Sequence, residues 1–206
     1  MIKIGIDVGS TTAKLVAVDE NDNLLFSKYE RHNAKAKETI LSFLKELLSE
    51  IGDKDISVRI TGSIGMGISE KCSLPFVQEV VAAAKAIQKD YSHVTSMIDI
   101  GGEDAKVVFF KDAEATDLRM NGNCAGGTGA FIDQMAIILG VNIDELNQLA
   151  MNATQVYPIA SRCGVFCKTD IQNLIAKNVS RENIAASIFR AVAVQTVVTL
   201  AHGCDI

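Results

Sequence analysis

Residues 4–18 read Ile-Gly-Ile-Asp-Val-Gly-Ser-Thr-Thr-Ala-Lys-Leu-Val-Ala-Val. An apolar run enters Asp7, a turn of glycine and hydroxyl residues follows, and a second apolar run leaves, which predicts a β-hairpin. Gly9 allows backbone torsions that a Cβ would forbid and lets a ligand approach the main chain. The carboxylate of Asp7, at the strand end, is suited to hydrated Mg²⁺. The N–H groups and three hydroxyls of the turn are suited to phosphate oxygens, and the hydroxyls belong to Ser10, Thr11 and Thr12.

The same pattern returns 92 residues later, where residues 98–108 read Ile-Asp-Ile-Gly-Gly-Glu-Asp-Ala-Lys-Val-Val. Six of these eleven residues are identical to their counterparts in residues 6–16. Two copies at so long a period indicate two half-domains built on one plan. We expect the two hairpins to face each other across a cleft that binds a nucleoside triphosphate and its metal. The alternative is two unrelated hairpins with acidic turns.

The apolar pattern of the rest of the chain predicts an α/β fold with mixed sheets. In the first half, further strands are predicted at 24–29 and 56–60, and helices at 35–50, ended by Gly52, and at 74–89, entered through Pro75. In the second half, strands are predicted at 94–100, 105–110 and 115–120, and helices at 127–139, 143–151, 164–177 and 183–202. We therefore expect half-domains at 1–93 and 94–206.

Composition narrows the class of protein. The chain has 206 residues, 48 % of them apolar, and a net charge of −5, which argues against a general nucleic-acid binder. No apolar run reaches the roughly 20 residues that cross a bilayer, and the N-terminus enters a strand without a signal peptide. We expect a cytoplasmic protein without a nucleic-acid or membrane partner. Its five cysteines are then expected to be free, metal-binding or redox-active rather than disulfide-bonded.

Two cysteines lie at the start of predicted helices, in glycine-rich bends. Cys124 stands in Asn-Gly-Asn-Cys-Ala-Gly-Gly-Thr-Gly at residues 121–129, and Cys163 in Ser-Arg-Cys-Gly at 161–164. A helix N-terminus favours a thiolate there. A [4Fe–4S] cluster needs four thiolates, so a symmetric dimer with the cluster on its two-fold axis would supply them.

The alternative for any cysteine is a small buried apolar residue. We expect that role for Cys72 and Cys204, and we favour it over a spare cluster ligand for Cys167. The three histidines have no ligand spacing, so a zinc site is not expected. The sequence also has no Walker A loop, which excludes a P-loop protein.

These motifs, in this order, resemble the ATP-dependent activators of 2-hydroxyacyl-CoA dehydratases. This is the family of BadF/BadG-type ATPases that also serves benzoyl-CoA reductase, and it belongs to the actin–hexokinase–chaperone superfamily. The resemblance implies duplicated ribonuclease-H-like, actin-like ATPase half-domains, with cluster-bearing helices inserted in the second. That plan continues with a strand and a further glycine turn, so we expect the chain to be shortened at its C-terminus.

The resemblance also implies cofactors and partners. It implies a homodimer that holds one [4Fe–4S] cluster between subunits, with Cys124 and Cys163 of each subunit as ligands. It implies ATP or ADP with Mg²⁺ in each subunit. It implies that ATP hydrolysis drives a movement of the cluster-bearing helices, and that one electron passes to a dehydratase or reductase of anaerobic metabolism. It also implies reduced ferredoxin or flavodoxin as the electron donor.

Residue by residue, the motif match assigns two groups of site residues. The catalytic group is Asp7, Asp99, Glu103 and Asp104. The nucleotide-binding group is Gly9, Ser10, Thr11, Thr12, Lys14, Gly101, Gly102, Gly126, Gly127 and Thr128.

Two other functions are consistent with the phosphate-binding turns. A small-molecule kinase of the same superfamily, for example for an amino sugar, would use Asp99 or Asp104 as the base on a hydroxyl. A non-enzymatic regulator would use ATP only for switching. Iron content separates the activator from both alternatives, and phosphorylation of a panel of sugars tests the kinase.

Overall fold

The computed structural model describes residues 1–112, 114–121, 126–161, 163–204 and 206. The chain divides into two compact units, Met1–Ser92 and His93–Ile206. The strands of the first unit are β1 Ile2–Val8, β2 Thr12–Val18, β3 Leu24–Arg31 and β4 Ile56–Thr61. Its helices are α1 Ala36–Ile51, α2 Gly65–Cys72 and α3 Glu79–Asp90.

The predicted hairpin forms the centre of the first sheet. The strand order is β3-β2-β1-β4, with β1 antiparallel to β2 and parallel to β4. Alternate residues of β1 are buried, as expected for a sheet with one face on the core. Helix α1 covers that face with Ile40, Phe43, Leu47 and Ile51, and it ends at Gly52, whose φ is +66°.

The segment between β4 and α3 differs from the prediction in two ways. Helix α2 was not predicted, because its eight residues include two glycines and carry only a short apolar pattern. Helix α3 begins at Glu79 rather than at residue 74. Proline disfavours helical torsions in the residue before it, and Phe76 forms a parallel bridge to Ile60. Residues 74–78 therefore lie beside β4 and do not form the first turn of the helix.

The second unit begins with the three predicted strands and continues with helices. Its strands are β5 Ser96–Ile100, β6 Ala105–Lys111 and β7 Glu114–Met120, paired antiparallel in the order β5-β6-β7. Its helices are α4 Gly129–Leu139, α5 Ile143–Met151, α6 Gly164–Ala176 and α7 Arg181–Thr196, which continues as a π-helical turn Val197–Ala201.

Helices α4 to α7 have a core of their own. The predicted inner side of α4 is confirmed, because Phe131, Met135, Ala136 and Leu139 are buried. They pack in one cluster with Leu146 of α5, Ile171 of α6 and Ile188 of α7. A separate small cluster joins Ala105 and Val107 of β6 to Leu200 of the π-helical turn. Strand β6 is thus buried against the end of α7.

The end of the chain departs from the expectation that no apolar segment is long enough to cross a membrane. Within the described residues, one helix, Arg181–Ala201, has the length and composition to do so. More than half of its apolar window is buried inside the fold, which is the pattern of a core helix.

Candidate functional site

The first loop, residues 9–12, joins β1 to β2. The main-chain N–H of Gly9 donates to the carbonyl of Thr12 at 3.0 Å, which closes the turn. Ser10, Thr11 and Thr12 are half-buried. The first loop thus places three partly exposed hydroxyl residues at the end of β1.

Asp7 and Lys14 flank the first loop and bind each other. They are direct Cα partners in the hairpin, and Nζ of Lys14 lies 2.7 Å from Oδ2 of Asp7. Burial lowers the pKa of Lys14, but the hydrogen bond and charge of Asp7 outweigh it, so its pKa is raised overall. The other oxygen of Asp7, Oδ1, is buried without a hydrogen-bond partner. A carboxylate with one orphaned buried oxygen is suited to a further donor or to a cation's water.

Strand β4 adds two residues to this site that were not among the predicted site residues. Parallel pairing places Thr61 beside Asp7, and the hydroxyl of Thr61 is also buried without a partner. Gly62 follows with φ +91°, and a Cβ there would lie 2.5 Å from Oδ1 of Asp7 and overlap the carbonyl of Val8. The Thr-Gly-Ser turn after a predicted strand was the available signal.

Gly9 does not have the backbone role that was predicted for it. Its φ lies outside the left-handed region, and a Cβ would meet only the carbonyl of Thr12 at an ordinary 3.8 Å. The glycine that this site requires on steric grounds is Gly62, because the strand pairing brings it against β1. An approach of a ligand to the Gly9 main chain stays a prediction.

The second loop, residues 101–104, joins β5 to β6 in the other unit. The main-chain N–H of Gly101 donates to the carbonyl of Asp104 at 2.8 Å. The side chain of Lys106 is only 6 % exposed, and its Nζ lies 3.0 Å from Asp104 and 3.9 Å from Asp99. Glu103 is exposed. The second unit thus brings both predicted aspartates to one buried lysine.

The second loop is bonded directly to the start of helix α4. The N–H groups of Gly129 and Ala130 donate to the carbonyls of Gly101 and Gly102, at 2.8 and 2.9 Å. A Cβ on Gly129 would lie 3.1 Å from the Gly101 carbonyl. The first N–H groups of a helix have no partner inside the helix, so these bonds fix the position of α4 relative to the second loop.

The glycine-rich segment before α4 is buried on α7. Gly126, Gly127 and Thr128 are buried, and a Cβ on Gly127, whose φ is +81°, would lie 3.0 Å from Cγ of Gln195. Gln195 Oε1 and the hydroxyl of Thr196 are buried there without hydrogen-bond partners. Gln195 and Thr196 were not predicted to contribute to the site, because the sequence pattern predicts only that they lie within a helix.

The cysteines occupy different environments. Cys163 is a free, half-buried thiol at the N-cap of α6, which is the predicted helix start, whereas Cys124 lies outside the described residues. Cys167 is buried as predicted, and burial raises the pKa of its thiol to about 11. Across the described parts of the chain, no three His, Cys, Asp or Glu side chains gather into a metal-binding group.

The expectation that Cys72 and Cys204 are buried is wrong. Both are exposed. Cys72 is the last residue of the short helix α2, and Cys204 follows the end of α7, where Nη2 of Arg119 lies 3.0 Å from its Sγ. Cys167, by contrast, is the fourth residue of α6 and packs in the core of the helices.

Comparison with known proteins finds one family over nearly the whole chain. The model of the BadF/BadG/BcrA/BcrD ATPase family matches residues 4–203. The (R)-2-hydroxyglutaryl-CoA dehydratase activating ATPase of Acidaminococcus fermentans is 29 % identical over 192 residues, which cover 92 % of this chain and 74 % of that protein. The 2-hydroxyisocaproyl-CoA dehydratase activator of Clostridioides difficile is 31 % identical over 206 residues, covering 94 % and 73 %.

Solved structures give the same result. The crystal structure of the Acidaminococcus fermentans (R)-2-hydroxyglutaryl-CoA dehydratase component A matches with a TM-score of 0.89 and 29 % identity, over 100 % of this chain and 80 % of that one. The activator of the 2-hydroxyisocaproyl-CoA dehydratase from Clostridium difficile, with bound ADPNP, matches with a TM-score of 0.88, also at 29 % identity, over 100 % and 77 %. These likenesses confirm the predicted α/β, actin-like ATPase fold.

Proposed function

The chain belongs to the BadF/BadG/BcrA/BcrD ATPase family, and from that membership we propose that it is an activator that couples ATP hydrolysis to single-electron transfer. Its partner is a 2-hydroxyacyl-CoA dehydratase or a reductase of the benzoyl-CoA type. The two hydrogen bonds from α4 to the second loop carry this proposal. They give a nucleotide at that loop a direct mechanical connection to the helix that follows Cys124.

We assign phosphate binding to the first loop in one unit and to the second loop in the other. Ser10, Thr11 and Thr12 are hydroxyl residues that are partly exposed, and loop N–H groups are suited to phosphate oxygens. Asp7 and Asp99 are the carboxylates that would hold hydrated Mg²⁺, which would neutralise phosphate charge. The orphaned Oδ1 of Asp7 fits this role, because a buried carboxylate oxygen needs a donor.

Lys14 holds Asp7 in place, whereas Lys106 lies closer to Asp104 than to Asp99. Each lysine lies at the same register position of its hairpin, opposite Asp7 and Asp99 respectively. Asp104, 3.0 Å from Lys106, and the exposed Glu103 complete the catalytic group at the second loop.

The cluster ligands are Cys124 and Cys163 of two copies of the chain. Cys163 fits the role: it is a free thiol, it is half-buried rather than sealed in the core, and it stands at a helix N-terminus. Two thiolates per chain are half of the four that a [4Fe–4S] cluster needs, so a second copy of the chain would complete the set. When bound, a [4Fe–4S] cluster supplies one electron at low potential.

The second loop is the part that would couple nucleotide binding to a movement of α4. A nucleotide that moves the carbonyls of Gly101 and Gly102 also moves the first turn of α4, because the two N–H groups bonded to them have no other partner in the helix. Gln195 and Thr196, with buried polar atoms that have no hydrogen-bond partner, lie beside Gly127 just before α4. Nucleotide binding therefore selects between two positions of α4.

The remaining partners are those of an electron-transfer protein. Reduced ferredoxin or flavodoxin supplies the electron, and the protein works in the cytoplasm as a homodimer. The acyl-CoA does not contact this chain, since it binds to the dehydratase or reductase.

The test mixes the anaerobically reduced, iron-loaded protein with a 2-hydroxyacyl-CoA dehydratase and either MgATP, MgADP or no nucleotide. We expect the visible absorbance of this protein to report its oxidation only with MgATP, at the rate at which the dehydratase becomes active. Oxidation at equal rates with and without ATP would refute ATP coupling. ATP consumption matched by phosphorylation of a sugar would establish the kinase instead.

A further inference from the structure

His32 lies directly behind the first loop. It follows the end of β3 and is 4 % exposed. Its Nε2 lies 3.0 Å from the carbonyl oxygen of Gly9, and its main-chain N–H donates to the carbonyl of Thr11 at 3.2 Å. One residue therefore contacts the first loop at two carbonyls.

The hydrogen bond to Gly9 fixes the tautomer of His32. A carbonyl oxygen can only accept, so Nε2 carries the proton. In the neutral ring Nδ1 is then an acceptor, and it is buried without a partner. An apolar side chain of similar size would fill the same space without leaving a buried nitrogen unpaired. Packing alone therefore does not account for a histidine at this position.

The position of the Gly9 carbonyl determines where the next N–H group points. In a planar trans peptide, the carbonyl of Gly9 and the N–H of Ser10 point in opposite directions. Because His32 binds that carbonyl oxygen, the Ser10 N–H points away from His32. Ser10 is half-buried, so part of this residue is exposed to solvent.

We propose that His32 is a positioning residue of the nucleotide site, which holds the Gly9 carbonyl so that the N–H of Ser10 faces an ATP phosphate. This inference rests on the proposed binding of ATP at the first loop. His32 acts through the main chain of Gly9 and does not itself contact the nucleotide.

The test compares three variants with the unmodified protein. His32→Gln keeps an amide N–H at about the reach of Nε2, His32→Leu removes the donor, and His93→Leu is a matched control at an exposed histidine. KM for ATP, kcat, the Kd of a non-hydrolysable ATP analogue and the melting temperature are measured for each.

We expect His32→Leu to raise KM and the analogue's Kd about tenfold, which corresponds to about 1.4 kcal/mol and to one hydrogen bond, with kcat little changed. His32→Gln is expected to restore most of the affinity, and His93→Leu to behave like the unmodified protein. If His32→Leu does not fold, His32→Asn replaces it, because its amide is too short to reach Gly9.

Three results would decide against the inference. Unchanged KM and Kd in His32→Leu, or in its Asn replacement, would show that the bond does not position the first loop. Equal affinity losses in the Gln and Leu variants would show that the donor is irrelevant. A lower melting temperature with unchanged affinity would assign His32 a purely structural role. An unmodified protein that neither binds nor hydrolyses ATP would instead refute the proposed function.

Discussion

Asp7 and Lys14 are direct Cα partners across the first hairpin, and their charged atoms lie 2.7 Å apart. Asp99 and Lys106 occupy the same register positions in the second hairpin, but there Nζ lies 3.9 Å from Asp99. The second lysine is drawn instead to Asp104, at 3.0 Å, which stands where the first copy has a threonine. The repeated sequence thus gives the same strand pairing but a different ion pair.

The first prediction concerns this ion pair. Lys14→Met leaves Asp7 with both carboxylate oxygens unpartnered beside the first loop, because Oδ1 has no partner already. We expect kcat/KM for ATP to fall about ten- to hundredfold, the range for one hydrogen bond to a charged group. Phosphate release in steady state measures it.

Lys28→Met is the control for that substitution. Lys28 also forms an ion pair, with Glu46 at 2.7 Å, but away from the first loop. An exposed pair contributes little to stability, so this variant should keep its activity. Equal losses in both variants would mean that Lys14 acts only through general stability.

The second prediction concerns Gly62. Gly62→Ala places a Cβ in the left-handed region and 2.5 Å from Oδ1 of Asp7, so the backbone must move at the site. We expect a loss of about 2 kcal/mol or more in the free energy of unfolding, together with most of the ATP affinity. Urea unfolding and nucleotide titration measure the two effects.

Gly67→Ala is the matched glycine control. Gly67 lies within α2, and a Cβ there would have no atom within 4 Å. Alanine is favoured over glycine inside a helix by up to about 1 kcal/mol, so this variant should be equally or more stable. A Gly62→Ala protein as stable and active as Gly67→Ala would contradict the steric account.

The third prediction concerns the loss of folding stability at acid pH. Hydrogen bonds from Lys3 and Lys89 lower the pKa of Asp22 from 3.8 to about 2. Because the pKa of Asp22 is lower in the folded protein than in the unfolded chain, ionised Asp22 stabilises the fold at pH values above 3.8. This stabilisation is lost as the pH falls toward 2. Asp22→Asn should therefore lower the melting temperature at pH 6, and the difference from the unmodified protein should vanish near pH 2.

Asn is the suitable replacement at that position, because Asp22 has a φ of 62° and asparagine tolerates this torsion. Melting curves between pH 6 and pH 2 give the comparison. A difference that stays constant down to pH 2 would show that the charge of Asp22 is not its cause.

The fourth prediction concerns thiol reactivity. With its pKa raised to about 11 by burial, Cys167 holds almost no thiolate at pH 8 and is covered by the fold. We expect iodoacetamide to modify Cys72, Cys204 and Cys163 of the native, iron-free protein before Cys167, as read by peptide mass spectrometry. Modification of Cys167 at the rate of Cys72 would contradict its burial.

Local patterns predicted most elements of the fold. Both hairpins and α5 carry complete patterns of their own, including an Asn142 capping box with Glu145. Elements that depend on distant pairing were less predictable. The start of α3 was misplaced because Phe76 pairs with Ile60, and that bridge cannot be seen in a one-dimensional pattern.

The same distinction applies to the candidate site. The motifs identified Asp7 and the first loop, because those residues are consecutive. Thr61 and Gly62 reach the site only through the parallel pairing of β4 with β1, and His32 only through the end of β3. The burial of Lys106 likewise depends on how β6 is covered, which no local pattern states.

The most direct test of the proposed electron-transfer function is the iron and acid-labile sulfide content of anaerobically purified protein. We predict about four iron and four sulfide per two chains, as for one shared [4Fe–4S] cluster, together with a brown colour. Cys163→Ser should lose both and still fold, and the exposed-cysteine control Cys72→Ser should keep both. An unmodified protein that stays colourless and iron-free after anaerobic reconstitution would contradict the proposal.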